Sequence, residues 1–186
     1  GAATHMLSYT WGYAIGDIAD SLTTWCSRSG QDPKRVFVWM CCVCVNQHRV
    51  KEKQARKEVV PFEDFMRVFD GRVRGIGKVI ALMMPWHAPA YLGRSWCMLE
   101  MQTAIELGEG QCELTIVMPP REEKQFTQDI VQGDGLDRIW ATLAAASISK
   151  ASAKVKADGQ NILKRVMERQ GVDAFDAQVK HHVKKW

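Results

Sequence analysis

The sequence predicts an α/β fold, a doubly wound parallel sheet of about five strands with helices on both faces. Three observations lead there. Apolar runs of strand length alternate along the chain with segments of helical period. The runs Val36–Val45 and Lys78–Trp86 are apolar at almost every position, as in strands buried on both faces. Gly and Pro punctuate the joins. A chain of 186 residues, 46% of them hydrophobic, suits one domain with a sizeable core. Residues 1–186 therefore read as a single domain. The first strand starts almost at residue 1, which suggests a piece cut from a longer protein.

Each element has its own local reason. Thr4–Trp11 ("THMLSYTW") is a short apolar run before Gly12 and reads as the first strand. Over Ile15–Gly30 the apolar residues Ile15, Ile18, Ala19, Leu22, Trp25 and Cys26 keep the helical period, with Gly30 as the stop and Pro33 just beyond. "VFVWMCCVCV" is the second strand. His48–Glu58 is densely charged and reads as an exposed loop or helix. Pro61–Gly71 has Pro at a helix start and Gly at its end. "GRVRGIGK" has the wrong glycine spacing for a P-loop or a dinucleotide fingerprint, so it reads as a helix-to-strand turn. Lys78–Trp86 is the third strand. Ser95 is the expected N-cap of a helix that stops at Gly108 or Gly110. Cys112–Pro120 is the fourth strand. "REEKQFTQDIVQ" and "GLDRIWATL" follow as helical or turn-like pieces, "AAASIS" reads as a short fifth strand, and two helices close the chain near Gln160–Gln170 and Val172–Lys184. The core is expected to hold Leu7, Val38, Val43, Ile80, Leu82 and Ile116.

Composition narrows the function. The net charge of +4 is modest and the basic residues are dispersed, which argues against nucleic acid as a partner. The longest apolar run has ten residues, too few to span a bilayer, and no signal peptide is visible. Six cysteines lie mostly within apolar segments. Cys41 and Cys44 have the C-x-x-C spacing, but zinc would need a second ligand pair, and in a strand residues three apart point to opposite faces. The expectation is core cysteines, reduced and without metal or cofactor, in a cytoplasmic protein.

One helix carries an anomaly. In "GRSWCMLEMQTAI" a helical wheel places Trp96, Cys97, Met101, Ala104, Ile105 and Leu107 on one broad apolar face, with Gln102, Thr103 and Glu106 opposite. Glu100 falls inside the apolar arc. Ligands of open parallel sheets bind beyond the carboxyl ends of the strands, where the strand order reverses. Those ends here are "SYTWGY", "NQHR" and "PWHAPAYLGRSW", and the helix of Glu100 begins directly after the last.

Three ordered motifs, "LSYTWG", "VWMCCVCVNQ" and "RSWCMLE", resemble the conserved blocks of fungal heterokaryon-incompatibility (HET) domains, which are similar to the wider Toll/interleukin-1 receptor (TIR) superfamily. The resemblance runs from about Leu7 to Leu107. It implies a flavodoxin-like, TIR-like fold with five parallel strands. It also implies an NAD⁺ glycohydrolase, a NADase of signalling or cell death that cleaves the nicotinamide–ribose bond to give nicotinamide and ADP-ribose or a cyclic product. NAD⁺ is then substrate, not cofactor, and the partner is a second copy in a homo-oligomer. The resemblance makes Glu100 the catalytic residue. It places Trp96 near the nicotinamide, and Ser8, Tyr9, Thr10, Trp11 and Gly12 along the pocket. Asn46, after the second strand, joins the candidate substrate-binding set, although Asn46 and Gln47 also suit an ordinary turn. His48–Glu58 lies where the family's contact loop would be.

The chemistry fits those residue types. Cleaving a bond to a cationic leaving group passes through an oxocarbenium-like state that a nearby carboxylate stabilises. Nicotinamide leaves without a strong general acid. Two other functions compete: a self-associating signalling scaffold of the same fold that catalyses nothing, and a hydrolase or transferase cutting the N-glycosidic bond of another nucleotide. A Glu100 set in apolar surroundings favours the enzymes; an exposed one with no adjacent cavity favours the scaffold.

Overall fold

The computed structural model describes residues 2–46, 48–49, 52, 55–56, 61–133 and 135–186. The chain opens with β1 (His5–Ser8), all four of whose residues are buried. Helix α1 (Ile15–Ser29) follows and ends at Gly30, whose φ of 66° turns the chain back so that its N–H reaches the Cys26 carbonyl. Then come β2 (Val38–Trp39), the single helical turn α2 (Cys41–Cys44) and helix α3 (Phe62–Ile76). Strand β3 (Lys78–Leu82) leads through a 3₁₀ turn at Ala90–Gly93 into α4 (Ser95–Leu107). Strand β4 (Glu113–Val117) precedes α5 (Pro120–Gln132), α6 (Gly135–Ala145), α7 (Lys156–Arg169) and α8 (Val172–Lys185).

The strands form one all-parallel sheet in the order β2-β1-β3-β4. Alternate residues serve opposite faces, as the pleat requires. Leu7, Ile80, Leu82 and Val117 pack with Ile18 of α1. Met6 and Val79 pack with Val73 of α3, and Ala81 and Ile116 with Met98 and Met101 of α4. Helices therefore cover both faces.

Helix α4 is more enclosed than its wheel suggests. The sheet lies on one side. Ile162 and Val166 of α7 and Phe175 and Val179 of α8 share its core cluster. Gln102, expected on a polar face, is buried, and its Nε2 donates to Gln178 of α8.

Four expectations are corrected. The sheet has four strands among the described residues, not five. The alanines of "AAASIS" extend α6 to Ala145, in keeping with their high helix propensity. Ile148 then turns into the core, its N–H held by Asp176 Oδ1 at 2.9 Å. Nearby, only a single bridge pairs Arg94 with Ser152. The second strand stops at Trp39, and Met40 starts α2. Val38 is consequently half-buried, and Val43 is 75% exposed instead of in the core. An unbroken apolar run does not distinguish a strand from a helical turn. Helix α3 runs through Gly71 and ends at Gly77, with φ 67°. Ser95 is the first helical residue and not the cap; its buried Oγ has no hydrogen-bond partner among the described residues.

These positions separate in a denaturation experiment. Ile80→Ala should cost about 2–5 kcal/mol in urea unfolding, because it opens a cavity between α1 and the sheet. Val43→Ala should stay within about 0.5 kcal/mol, as exposed positions do. Equal losses at the two sites would return Cys41–Val45 to the buried sheet.

Candidate functional site

The chain runs from β1 outward to β2, then crosses back over β1 to β3. The order thus reverses between β1 and β3, and open parallel sheets bind ligands beyond the carboxyl ends of the strands at such a point. Ser8 is the last residue of β1. Tyr91 stands on the 3₁₀ turn after β3, and Cys97 and Glu100 occupy the first two turns of α4. All four are buried, with Glu100 8% exposed.

Ser8 is the hub. Its Oγ contacts Glu100 Oε2 on one side and lies 2.7 Å from the Tyr91 hydroxyl on the other. Tyr91 donates to the Cys97 carbonyl at 2.9 Å. This chain makes three oxygen–oxygen contacts, yet two hydroxyls supply only two protons. When Glu100 is ionised, Ser8 donates to it, and Tyr91 must serve both Ser8 and Cys97. A proton on Glu100 provides the missing donor. The electrostatics agree: burial pushes the Glu100 carboxyl up to about 7, and the Ser8 hydrogen bond offsets only part of that. Burial likewise holds the Cys97 thiol and Tyr91 phenol well above their ordinary values, so both are neutral at pH 7.

A second layer joins this hub to the surface. Cys97 Sγ donates to the Tyr9 carbonyl at 3.3 Å. The Cys41 thiol lies 3.9 Å from the Tyr9 hydroxyl and accepts from Trp11 Nε1 at 3.2 Å. Burial raises the Cys41 thiol pKa. The Trp11 N–H lowers it, and the Glu100 carboxylate is close enough to raise it further. Trp11 is half exposed, with the Lys154 ammonium 5.3 Å from its ring centroid. Thr10 Oγ1 accepts from the Gly12 N–H at 3.3 Å, which shapes the turn after β1. Tyr13 then ties this turn to the next loop by donating to the Met84 carbonyl at 2.8 Å.

The sequence-derived candidates thus divide. Ser8, Tyr9, Thr10, Trp11 and Gly12 gather at the carboxyl end of β1, on the side where Glu100 arrives. Trp96 is engaged elsewhere: its ring stacks on Phe69 at 4.9 Å, tilts against Phe62 at 5.7 Å, and Nε1 lies 3.4 Å from Asp158 Oδ2. Asn46 is exposed, and its Oδ1 accepts from the Arg49 N–H, closing a local turn. Gln47 and most of His48–Glu58 lie outside the described residues. Sequence reasoning placed Cys97 on the face of Glu100 but missed Tyr91 and Cys41 as its neighbours. Tyr91 was within reach, being the one tyrosine of the ligand-edge loop "PWHAPAYLGRSW".

Comparison of the chain with protein-family models, curated proteins and solved structures finds no match.

The carboxyl leaves a thermodynamic mark. A folded-state pKa of about 7, against 4.5 for an ordinary Glu, means that the folded protein holds the proton over a range where the unfolded chain has released it. Stability from this group is then full below pH 4.5 and falls as pH rises to about 7. Glu100→Gln abolishes that slope. The stability of the parent relative to the Gln variant should drop by about 3 kcal/mol between pH 4.5 and pH 8, read from urea unfolding. A difference that is flat with pH would mean an unperturbed carboxyl.

Proposed function

We propose that this domain cleaves the nicotinamide–ribose bond of NAD⁺, with Glu100 as the catalytic carboxylate and a homo-oligomer as the working form. One observation carries the reading: a buried carboxyl, hydrogen-bonded by the last residue of β1, at the point where the strand order reverses. A solvated surface glutamate would offer none of this. The resemblance of "LSYTWG", "VWMCCVCVNQ" and "RSWCMLE" to TIR-like blocks supports it. The order β2-β1-β3-β4 also supports a flavodoxin-like sheet that, among the described residues, lacks the last strand of a 2-1-3-4-5 arrangement.

The chemistry follows from charge. The nicotinamide ring of NAD⁺ is a cation. Placed beside Glu100, it lowers the carboxyl pKa and favours the ionised form. The Ser8 hydroxyl then donates to the carboxylate. As the C–N bond breaks, its electron pair returns to the ring, and the positive charge moves onto the ribosyl oxocarbenium. The carboxylate, held in dry surroundings, stabilises that charge more strongly than it would in water. Neutral nicotinamide leaves without a proton. Water attacks the ribosyl carbon and releases a proton, giving ADP-ribose, or a nitrogen of the same nucleotide closes a ring.

Release of nicotinamide from NAD⁺ at high protein concentration tests this. Glu100→Gln should lower turnover by about a hundredfold or more while keeping a cooperative melt. Parental turnover in a folded Gln variant would favour the non-catalytic scaffold. Ser8→Ala removes the hydrogen bond that favours the carboxylate, so the acid limb of its kcat/KM profile should move to higher pH. An unmoved limb would assign that limb to another group.

A further inference from the structure

The thiols of α2 carry an inference that the sequence argued against. Read as a strand, Cys41 and Cys44 face opposite sides and stand about 10 Å apart at the usual rise. In the structure they lie in one turn of helix. The Cys44 N–H reaches the Met40 carbonyl at 2.8 Å, and the Val45 N–H reaches the Cys41 carbonyl at 3.1 Å. Helical rise and radius then set Cα atoms three residues apart at about 5 Å, on one face. That separation is inside the disulfide window of about 4.4–6.8 Å. Cys42 is poorly placed for either neighbour. It points about 100° away from Cys41, and it lies two residues from Cys44, on another face.

Accessibility gives the two thiols different roles. Cys44 is exposed and Cys41 half-buried, whereas Cys26, Cys97 and Cys112 are buried in packed surroundings. None of the six forms a disulfide among the described residues. We propose that Cys41 and Cys44 are a reversible dithiol–disulfide pair that exchanges with low-molecular-weight disulfides. Cys44, as thiolate, attacks the external disulfide RSSR, forms a mixed disulfide and expels one thiol, RSH, after protonation. Cys41 gives up its proton and attacks the Cys44 sulfur, and a second RSH leaves. The protein loses two electrons and two protons, and RSSR becomes two thiols. The new bond draws Cys41 Sγ from its contacts with Trp11 Nε1 and the Tyr9 hydroxyl, beside the Glu100 hub.

The folded domain, incubated with glutathione disulfide, alkylated and mapped by mass spectrometry, reports on this directly. Free thiols should fall from six to four, with an internal link between Cys41 and Cys44 that dithiothreitol reverses. The same oxidation should shift tryptophan emission through Trp11. Cys42→Ser should retain both changes, and Cys44→Ser, an exposed substitution, should lose both. A stable glutathione adduct with no internal link would overturn the pairing. So would a link that needs Cys42, or one that forms equally well in Cys44→Ser.

Discussion

A shortage of one proton organises the centre of this molecule. Glu100, Ser8, Tyr91 and the Cys97 carbonyl form a line of oxygen contacts that two hydroxyl protons cannot fill. The line spans the end of β1, the loop after β3 and the first two turns of α4. Each contact is thus also a tie between elements far apart in sequence. Where water is excluded, an unmet donor or acceptor costs about 1–3 kcal/mol, so the proton that completes the line has a structural value. The raised carboxyl pKa comes from desolvation by burial, and the Ser8 hydrogen bond works against it.

Such a line survives only if its members cannot swing out to solvent, and the placement of α4 secures this. The helix lies between the sheet and the pair α7 and α8, and Met98, Leu99 and Met101 fill both sides. Trp96 contributes at the same end by stacking on Phe69 and tilting against Phe62 of α3. Its ring fixes how α4 meets α3. Removing it would loosen the mounting of Glu100, whatever part the ring takes toward a substrate.

Much of this arrangement was legible in the sequence, and the failures share a cause. Helices with capped ends and a clear period, such as α1 with Gly30, were found within a residue or so. Glu100 stood out because one carboxylate in an apolar arc violates a strong pattern. Errors arose where a pattern was uniform. "VFVWMCCVCV" and "AAASIS" have no alternation to exploit, so neither could reveal a strand giving way to a helical turn, or a helix in place of a strand. Gln102 was misread for a related reason: a wheel records polarity, not how many layers a helix lies between. Tyr91 sat in an aperiodic loop, where only the topology of the sheet could show that its hydroxyl faces Ser8.

The premature end of β2 has a consequence for the site itself. Among the described residues the register pairs His5 with Val38 and Met6 with Trp39, and no further, while β1 continues beside β3 to Ser8. Past Met6, β1 therefore has β3 on one side and, on the other, the space where β2 would have continued. Cys41, leaving the sheet on its helical turn, turns its thiol toward Tyr9 and Trp11 there. Had the apolar run stayed extended, its backbone would have paired with Leu7 and Ser8, and side chains would have alternated across the sheet. The change to a helical turn instead keeps thiols beside the carboxyl end of β1. Two kinds of titratable group, a carboxyl and a thiol, then share one apolar neighbourhood, where charge on either raises the cost of charge on the other.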